Sequence, residues 1–157
     1  MRKAVFIFAI LFCVVGLAQS SSAQSVNVSG SIDKRTVTPG STARATVVMS
    51  IPSSLHVNSS RPASEYAIPT TVRVSGAGIR ASRVNYPRGR NRKFEFSENL
   101  INVYEGRVSF PFTVTVPANY RGNTITVRAV VRYQACTNEV CYPPTSKTVT
   151  MTARVAR

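Results

Sequence analysis

Residues 125–133 read Ile-Thr-Val-Arg-Ala-Val-Val-Arg-Tyr, and the alternation of apolar and polar side chains in this run decides the fold class. In an extended chain successive side chains point to opposite faces, so a period of two gives a strand with one face inward and one in water. The pattern recurs in both directions. Upstream it appears in Ala43–Met49, Thr71–Ser75 and Val108–Val116, and downstream in Lys147–Val155. Turn-forming stretches separate these runs: Thr38-Pro39-Gly40-Ser41, Ser75-Gly76-Ala77-Gly78, Tyr86-Pro87-Arg88-Gly89 and Arg121-Gly122-Asn123. No segment carries a sustained 3.6-residue period with helix caps.

Seven to nine short strands at this spacing predict an all-β chain, an immunoglobulin-like antiparallel β-sandwich in one domain. Pro111 lies inside a strand pattern and has no amide hydrogen to donate, so it predicts an edge position or a bulge. The N-terminus is excluded from this reading. Met1-Arg2-Lys3 is a basic start, Ala4–Ala18 is almost wholly apolar, and Ser21-Ser22-Ala23 offers small residues for a signal peptidase. The apolar run of about 15 residues falls short of the roughly 20 that span a bilayer. Residues 1–23 are therefore expected to be a signal peptide and 24–157 the exported domain. Cleavage after Ala18 and an uncleaved anchor are the competing readings, and Cys13 is expected to leave with the leader.

The 157-residue chain carries a formal net charge of +14, which becomes +12 if Arg2 and Lys3 are lost with the leader. A cationic surface of this kind favours acidic partners and stays soluble. Its densest cluster is Arg88-Gly89-Arg90-Asn91-Arg92-Lys93. No platform of interleaved aromatic and basic residues suggests single-stranded nucleic acid, so no nucleic-acid partner is expected. A cationic envelope- or nucleic-acid-associated protein remains a third reading. No second apolar run is long enough to span a membrane in the mature chain.

Two cysteines remain, Cys136 and Cys141, in the segment Tyr-Gln-Ala-Cys-Thr-Asn-Glu-Val-Cys-Tyr-Pro-Pro, residues 133–144. Export allows them to form a disulfide. In the chain-entropy model a bridge closing so short a loop contributes only about 2 kcal/mol. A polar turn between the cysteines and the stiff Pro143-Pro144 exit suit an accessible pair that exchanges with other thiols through a mixed disulfide. A structural staple is the alternative. Metal binding is disfavoured because a closed zinc site needs four ligands, and the mature chain offers two cysteines and one histidine. No cofactor is indicated: no phosphate loop or dinucleotide fingerprint is present.

This cysteine segment resembles the active-site segment of the N-terminal periplasmic domain of the thiol:disulfide interchange protein DsbD. Leu55-His56-Val57-Asn58-Ser59 with Pro62 and Ile68-Pro69, and Val103-Tyr104-Glu105-Gly106, are similar to related exported domains in the same order. The resemblance implies a periplasmic or secreted thiol:disulfide oxidoreductase of the reductant-relay type with thioredoxin-like partners. It also implies an immunoglobulin-like fold. By motif position Cys141 forms the mixed disulfide and Cys136 resolves it. An aromatic on a cap loop, Phe94 or Phe96 within Arg92–Glu98, shields the pair, and Glu95 is a candidate for tuning the thiols. One residue fewer separates the cysteines than in DsbD. The membrane and thioredoxin-like domains of full-length DsbD are not found in these 157 residues, so donor and acceptor are expected to be separate proteins. His56, the one histidine, is a candidate for tuning a thiolate, with packing at a strand end as its alternative. Tyr104, Tyr133 and Tyr142 are candidates for packing around the sulfurs, and Gln134 for bonding the cysteine loop. The competing function is a secreted immunoglobulin-like binding module whose disulfide is purely structural.

Overall fold

The computed structural model describes residues 25–156, so the expected signal peptide lies outside the described residues. The described chain is all-β. Its strands are β1 (Asn27–Ile32), β2 (Thr36–Val37), β3 (Thr42–Ser50), β4 (His56–Asn58), β5 (Thr71–Ser75), β6 (Arg80–Ala81), β7 (Arg90–Arg92), β8 (Ile101–Tyr104), β9 (Arg107–Thr115), β10 (Thr124–Tyr133), β11 (Ala135–Cys136) and β12 (Thr145–Val155). They form three four-stranded sheets in the orders β1-β3-β9-β6, β2-β12-β10-β5 and β11-β4-β8-β7. All pairings are antiparallel except the short one between β2 and β12.

The two larger sheets share one core. From the first come Ala43, Ala45, Val47, Met49, Val108, Phe110, Phe112 and Val114, and from the second Val72, Ile125, Val127, Ala129, Val131, Tyr133, Met151 and Ala153. These are the inward positions of the alternating runs, as a period of two requires. The register fits small against large: Ala45 lies opposite Phe112 and Val47 opposite Phe110. Tyr86 and Tyr104 pack edge-on against Phe110, with ring centroids 5.7 Å away in each case, a favoured arrangement of aromatic quadrupoles.

Pro111 pairs with Thr46 on β3, while β6 on the other side reaches only Val114 and Thr115 of β9. The side of β9 beside Pro111 therefore faces irregular chain, where Asn85 N donates to Pro111 O at 2.9 Å. No amide hydrogen is required of Pro111 there, so it occupies a local edge.

The small third sheet grows out of the larger two. β10 runs to Tyr133, and after the single residue Gln134 the chain continues as β11 in a different sheet. β8 likewise passes into β9 of the first sheet through Glu105 and Gly106. Gly106 has φ +63°, and its missing Cβ would meet nothing within 4 Å. The backbone conformation, rather than crowding, is what calls for glycine there. These two sheet switches carry the cysteine segment and the Val103-Tyr104-Glu105-Gly106 segment to the same end of the molecule. Among the described residues no helix is long and apolar enough to cross a membrane.

Candidate functional site

Cys136 and Cys141 are joined by a disulfide, with S–S 2.03 Å and Cα atoms 4.0 Å apart. The loop between them is a tight hairpin closed by Thr137. Its backbone N–H donates to Val140 O at 2.8 Å, and its Oγ1 accepts from the amides of Glu139 at 3.2 Å and Val140 at 3.1 Å. A side-chain hydroxyl thus serves the amides that would otherwise be left open in the turn. Tyr142 N donates to Ala135 O at 2.9 Å and keeps the two arms together. The sulfurs are not equivalent. Cys136 is 0% exposed within β11, whereas Cys141 is partly exposed beyond the turn.

Gln134, at the switch between sheets, fixes this hairpin to the rest of the protein. Its Oε1 accepts from Asn58 Nδ2 at 2.9 Å and from Ile68 N at 3.1 Å, and its Nε2 donates to Tyr142 O at 3.2 Å. Asn58 is buried in β4, and its amide donates to the Gln134 carbonyl at 3.2 Å. One side chain thus binds β4, the 59–70 loop and the exit from Cys141.

A cleft of about 240 Å³ opens beside Cys141, lined by Asn58, Ser64, Tyr66, Ala67, Phe96, Ser97, Ile101, Gln134 and Cys141. Phe94 and Phe96 occupy different places. Phe94 is 8% exposed and packs with Ile101, Val103 and Ala67 in a small core of its own. Phe96 is 41% exposed and lines the cleft with Cys141. The two rings stack on each other, centroids 5.3 Å apart and planes 5° from parallel. Their loop is closed by Lys93 Nζ donating to Glu98 O and by Ser97 N donating to Phe94 O at 3.1 Å.

Phe94 also stacks with His56, centroids 4.0 Å apart and planes at 12°. His56 lies opposite Cys136 in the β4–β11 ladder. Its ring is 3% exposed, and Nε2 is buried without a hydrogen-bond partner. Burial pushes its pKa below the ordinary value, against a smaller upward pull from the Glu105 carboxylate. Glu105 forms a two-pronged ion pair with Arg92, Oε2 to Nη2 at 2.8 Å and Oε1 to Nε at 3.1 Å. The hydrogen bond from Arg92 holds the Glu105 carboxyl below its usual range. His56 and Glu105 line a second cleft together with Ser53, Ser54, Leu55 and the turn residues Thr137, Asn138 and Glu139.

Among the other residues singled out in the sequence, Tyr142 is exposed at the exit from Cys141, and Tyr133 is buried in the main core. Tyr104 does not line the cleft. Its hydroxyl donates to Pro87 O at 3.0 Å and lies 3.1 Å from Ser60 Oγ, joining the loops that carry those residues. Glu95 is exposed on the loop that carries Phe94 and Phe96, and the carboxylate acting on His56 is Glu105. Tyr66, Ala67, Asn58 and Ile101 were not singled out individually as site residues. They reach the cleft through strand pairing and a returning loop, which no local pattern displays. Among the described residues no cluster of three or more His, Cys, Asp or Glu side chains is placed to hold a metal.

Among the described residues the exposed large hydrophobic side chains, Tyr66, Phe96, Leu100, Val140 and Tyr142, lie in the loops 59–70, 93–100 and 137–144.

A family profile described as "Thiol:disulfide interchange protein DsbD, N-terminal" matches residues 31–153. No curated protein matches the chain. Among solved structures, the N-terminal periplasmic domain of ScsB from Proteus mirabilis aligns at 12% identity and TM-score 0.49, covering 73% of this chain and 42% of that one. The yeast GGA1 GAE domain aligns at 13% identity and TM-score 0.45, over 83% of this chain and 94% of that one. Spo0M from Bacillus subtilis aligns at 13% identity and TM-score 0.41, over 84% of this chain and 49% of that one.

Proposed function

The chain belongs to the family of DsbD N-terminal domains, and from that premise we propose that it is a thiol:disulfide exchange domain cycling between a Cys136–Cys141 disulfide and a dithiol. It is a periplasmic or secreted domain, and its partners are thiol:disulfide proteins. The observation that carries the proposal is the inequality of the two sulfurs: Cys141 borders an open cleft while Cys136 is enclosed.

In the reductive half-cycle a thiolate of a thioredoxin-like donor attacks Cys141 Sγ. The Cys136–Cys141 bond breaks, its electron pair stays on Cys136, and that thiolate takes a proton from solvent. The donor's second thiolate then attacks the donor sulfur of the mixed disulfide. This leaves the donor oxidised and releases Cys141 as a thiolate. In the second half-cycle the Cys141 thiolate attacks an acceptor disulfide, and Cys136, once deprotonated, attacks Cys141 Sγ to release the acceptor reduced. The hairpin keeps Cys136 beside Cys141, so resolution is intramolecular and does not wait for a second encounter.

Phe96 acts as the cap over Cys141, and Phe94 is its support. The apolar loops around the cleft supply the docking face for a partner's active-site surface, since contiguous apolar exposure on a polar molecule marks a contact region. The shared core of the two larger sheets supports an immunoglobulin-like sandwich.

Trapping tests the function. Cys136→Ser leaves Cys141 unable to be resolved, and a mixed disulfide with a thioredoxin-like protein should accumulate in the exported fraction. Recovery of no thiol:disulfide oxidoreductase, under conditions where the variant is folded and Cys141 reacts with a small disulfide, would refute the relay.

A further inference from the structure

We propose that His56 is a positioning residue for exchange at Cys141: its imidazole seats Phe94, Phe94 seats Phe96, and charging the imidazole loosens that shield. The proposal rests on the exchange reading for its biological use, but the shielding itself is a property of the oxidised domain alone.

Three rings form a continuous stack from the interior to the cleft. His56 lies on Phe94 at 4.0 Å and Phe94 on Phe96 at 5.3 Å, all nearly parallel. The inner end of the stack is anchored in the β4–β11 ladder opposite Cys136, and the outer end lines the cleft with Cys141. Phe96 has little burial of its own to hold its ring, and the ring it stacks on is Phe94. Phe94 in turn has Ile101, Val103 and Ala67 around it and the imidazole on one face.

The imidazole is suited to this place only while neutral. Its Nε2 is buried without an acceptor, and an imidazolium carries a hydrogen on both nitrogens. Leaving a charged donor unpaired in the interior is unfavourable. The charged groups around the ring decide where it turns. Glu105 lines a cleft with His56 that Phe94 does not line, and it is held by Arg92, with Arg90 acting on the same carboxylate. Glu139 of the cysteine hairpin lines that cleft as well, while Ser53, Ser54 and Leu55 contribute no charge. The cap loop brings Lys93, Glu95 and Glu98, all exposed, around Phe94 and Phe96. An imidazolium is therefore drawn toward Glu105, into a cleft that Phe94 does not line, and the stack loses its inner support. Acidification would thus widen the cleft beside Cys141.

The test is the rate at which dithiothreitol reduces the oxidised protein, expressed per thiolate and followed from about pH 8 down through and below the ordinary histidine range, since burial lowers the pKa of His56. The natural protein should react at least about threefold faster, per thiolate, once His56 is charged. His56→Ala should be faster throughout and flat with pH. His56→Phe, which keeps a ring on Phe94 but cannot titrate, should be as slow as the natural protein at neutral pH and should stay slow in acid. Phe96→Ala, an exposed change that does not depend on refolding the interior, should abolish the acid acceleration with His56 intact. A natural-protein profile in His56→Phe or in Phe96→Ala would overturn the proposal, as would an unchanged rate in His56→Ala. Because dithiothreitol needs no protein partner, failure to find a relay partner leaves this result standing, and failure here leaves the relay standing.

Discussion

Gln134 donates from Nε2 to the carbonyl oxygen of Tyr142 at 3.2 Å, so the residue between two sheets also fixes the chain leaving Cys141. Its Oε1 meanwhile satisfies the buried Asn58 side chain. Gln134→Ala should therefore destabilise the oxidised protein by about 1–3 kcal/mol, the usual cost of leaving a buried polar group unpaired. Gln134→Glu keeps an acceptor for Asn58 but loses the donor to Tyr142, so it should leave the cysteine exit mobile. Urea unfolding checks the first effect, and amide exchange at Tyr142 checks the second. Natural stability in Gln134→Ala would show that the tie contributes little.

The two phenylalanines of the cap loop separate packing from shielding. Phe94→Ala opens a cavity beside Ile101 and Val103 and should cost about 3–5 kcal/mol, as aromatic-to-alanine changes in cores do. Phe96→Ala removes a largely exposed ring and should change stability by less than about 0.5 kcal/mol. It should nevertheless raise the rate of reduction by a small thiol at neutral pH. Thermal melts and thiol-exchange rates on the same pair of variants distinguish the roles.

The long strands were legible because each carries enough alternation to declare a face: β3, β5, β9, β10 and β12 coincide with the alternating runs. β1, Asn-Val-Ser-Gly-Ser-Ile, was not, since its partly buried face includes only Val28, Gly30 and Ile32. The third sheet was hidden for a different reason. Its strands are two to four residues long, too short to show a period, and they are defined by pairing partners far along the chain. The site divided in the same way. Cys136, Cys141 and Gln134 could be read from one contiguous segment. The stack of His56 on Phe94 joins residues 38 positions apart and exists only because β4 and β7 flank β8.

The pH dependence of stability should show two separate windows. His56 has a folded-state pKa below its ordinary 6.5, so between the two values the unfolded chain binds a proton that the native state does not. Stability is then greatest above about pH 6.5 and falls as the pH drops below it. Glu105 is depressed below its ordinary 4.5 by Arg92. Its contribution is complete above that value and is lost as the pH falls through the lower folded-state pKa. Urea midpoints measured across both ranges should lose the upper slope in His56→Phe and the lower slope in Glu105→Gln. An upper slope that survives in His56→Phe would assign it to another group.

The hairpin disulfide should contribute little to global stability. It closes a loop of only six residues, counting both cysteines, for which the chain-entropy model gives roughly 2 kcal/mol before any enthalpic term. The hairpin is also held independently by Thr137, Gln134 and the Tyr142–Ala135 hydrogen bond. Reduction should therefore leave the fold intact, with oxidised and reduced proteins differing by no more than about 2 kcal/mol in urea unfolding. A bridge coupled so weakly to folding can be opened and closed without unfolding the domain, as an exchange centre requires. Its reduction potential should accordingly lie above the roughly −300 mV below which structural bridges resist the thiol pool. Equilibration against a thioredoxin-like protein measures that potential. A value well below this limit, together with a stability loss of about 4 kcal/mol or more on reduction, would identify the bridge as a staple.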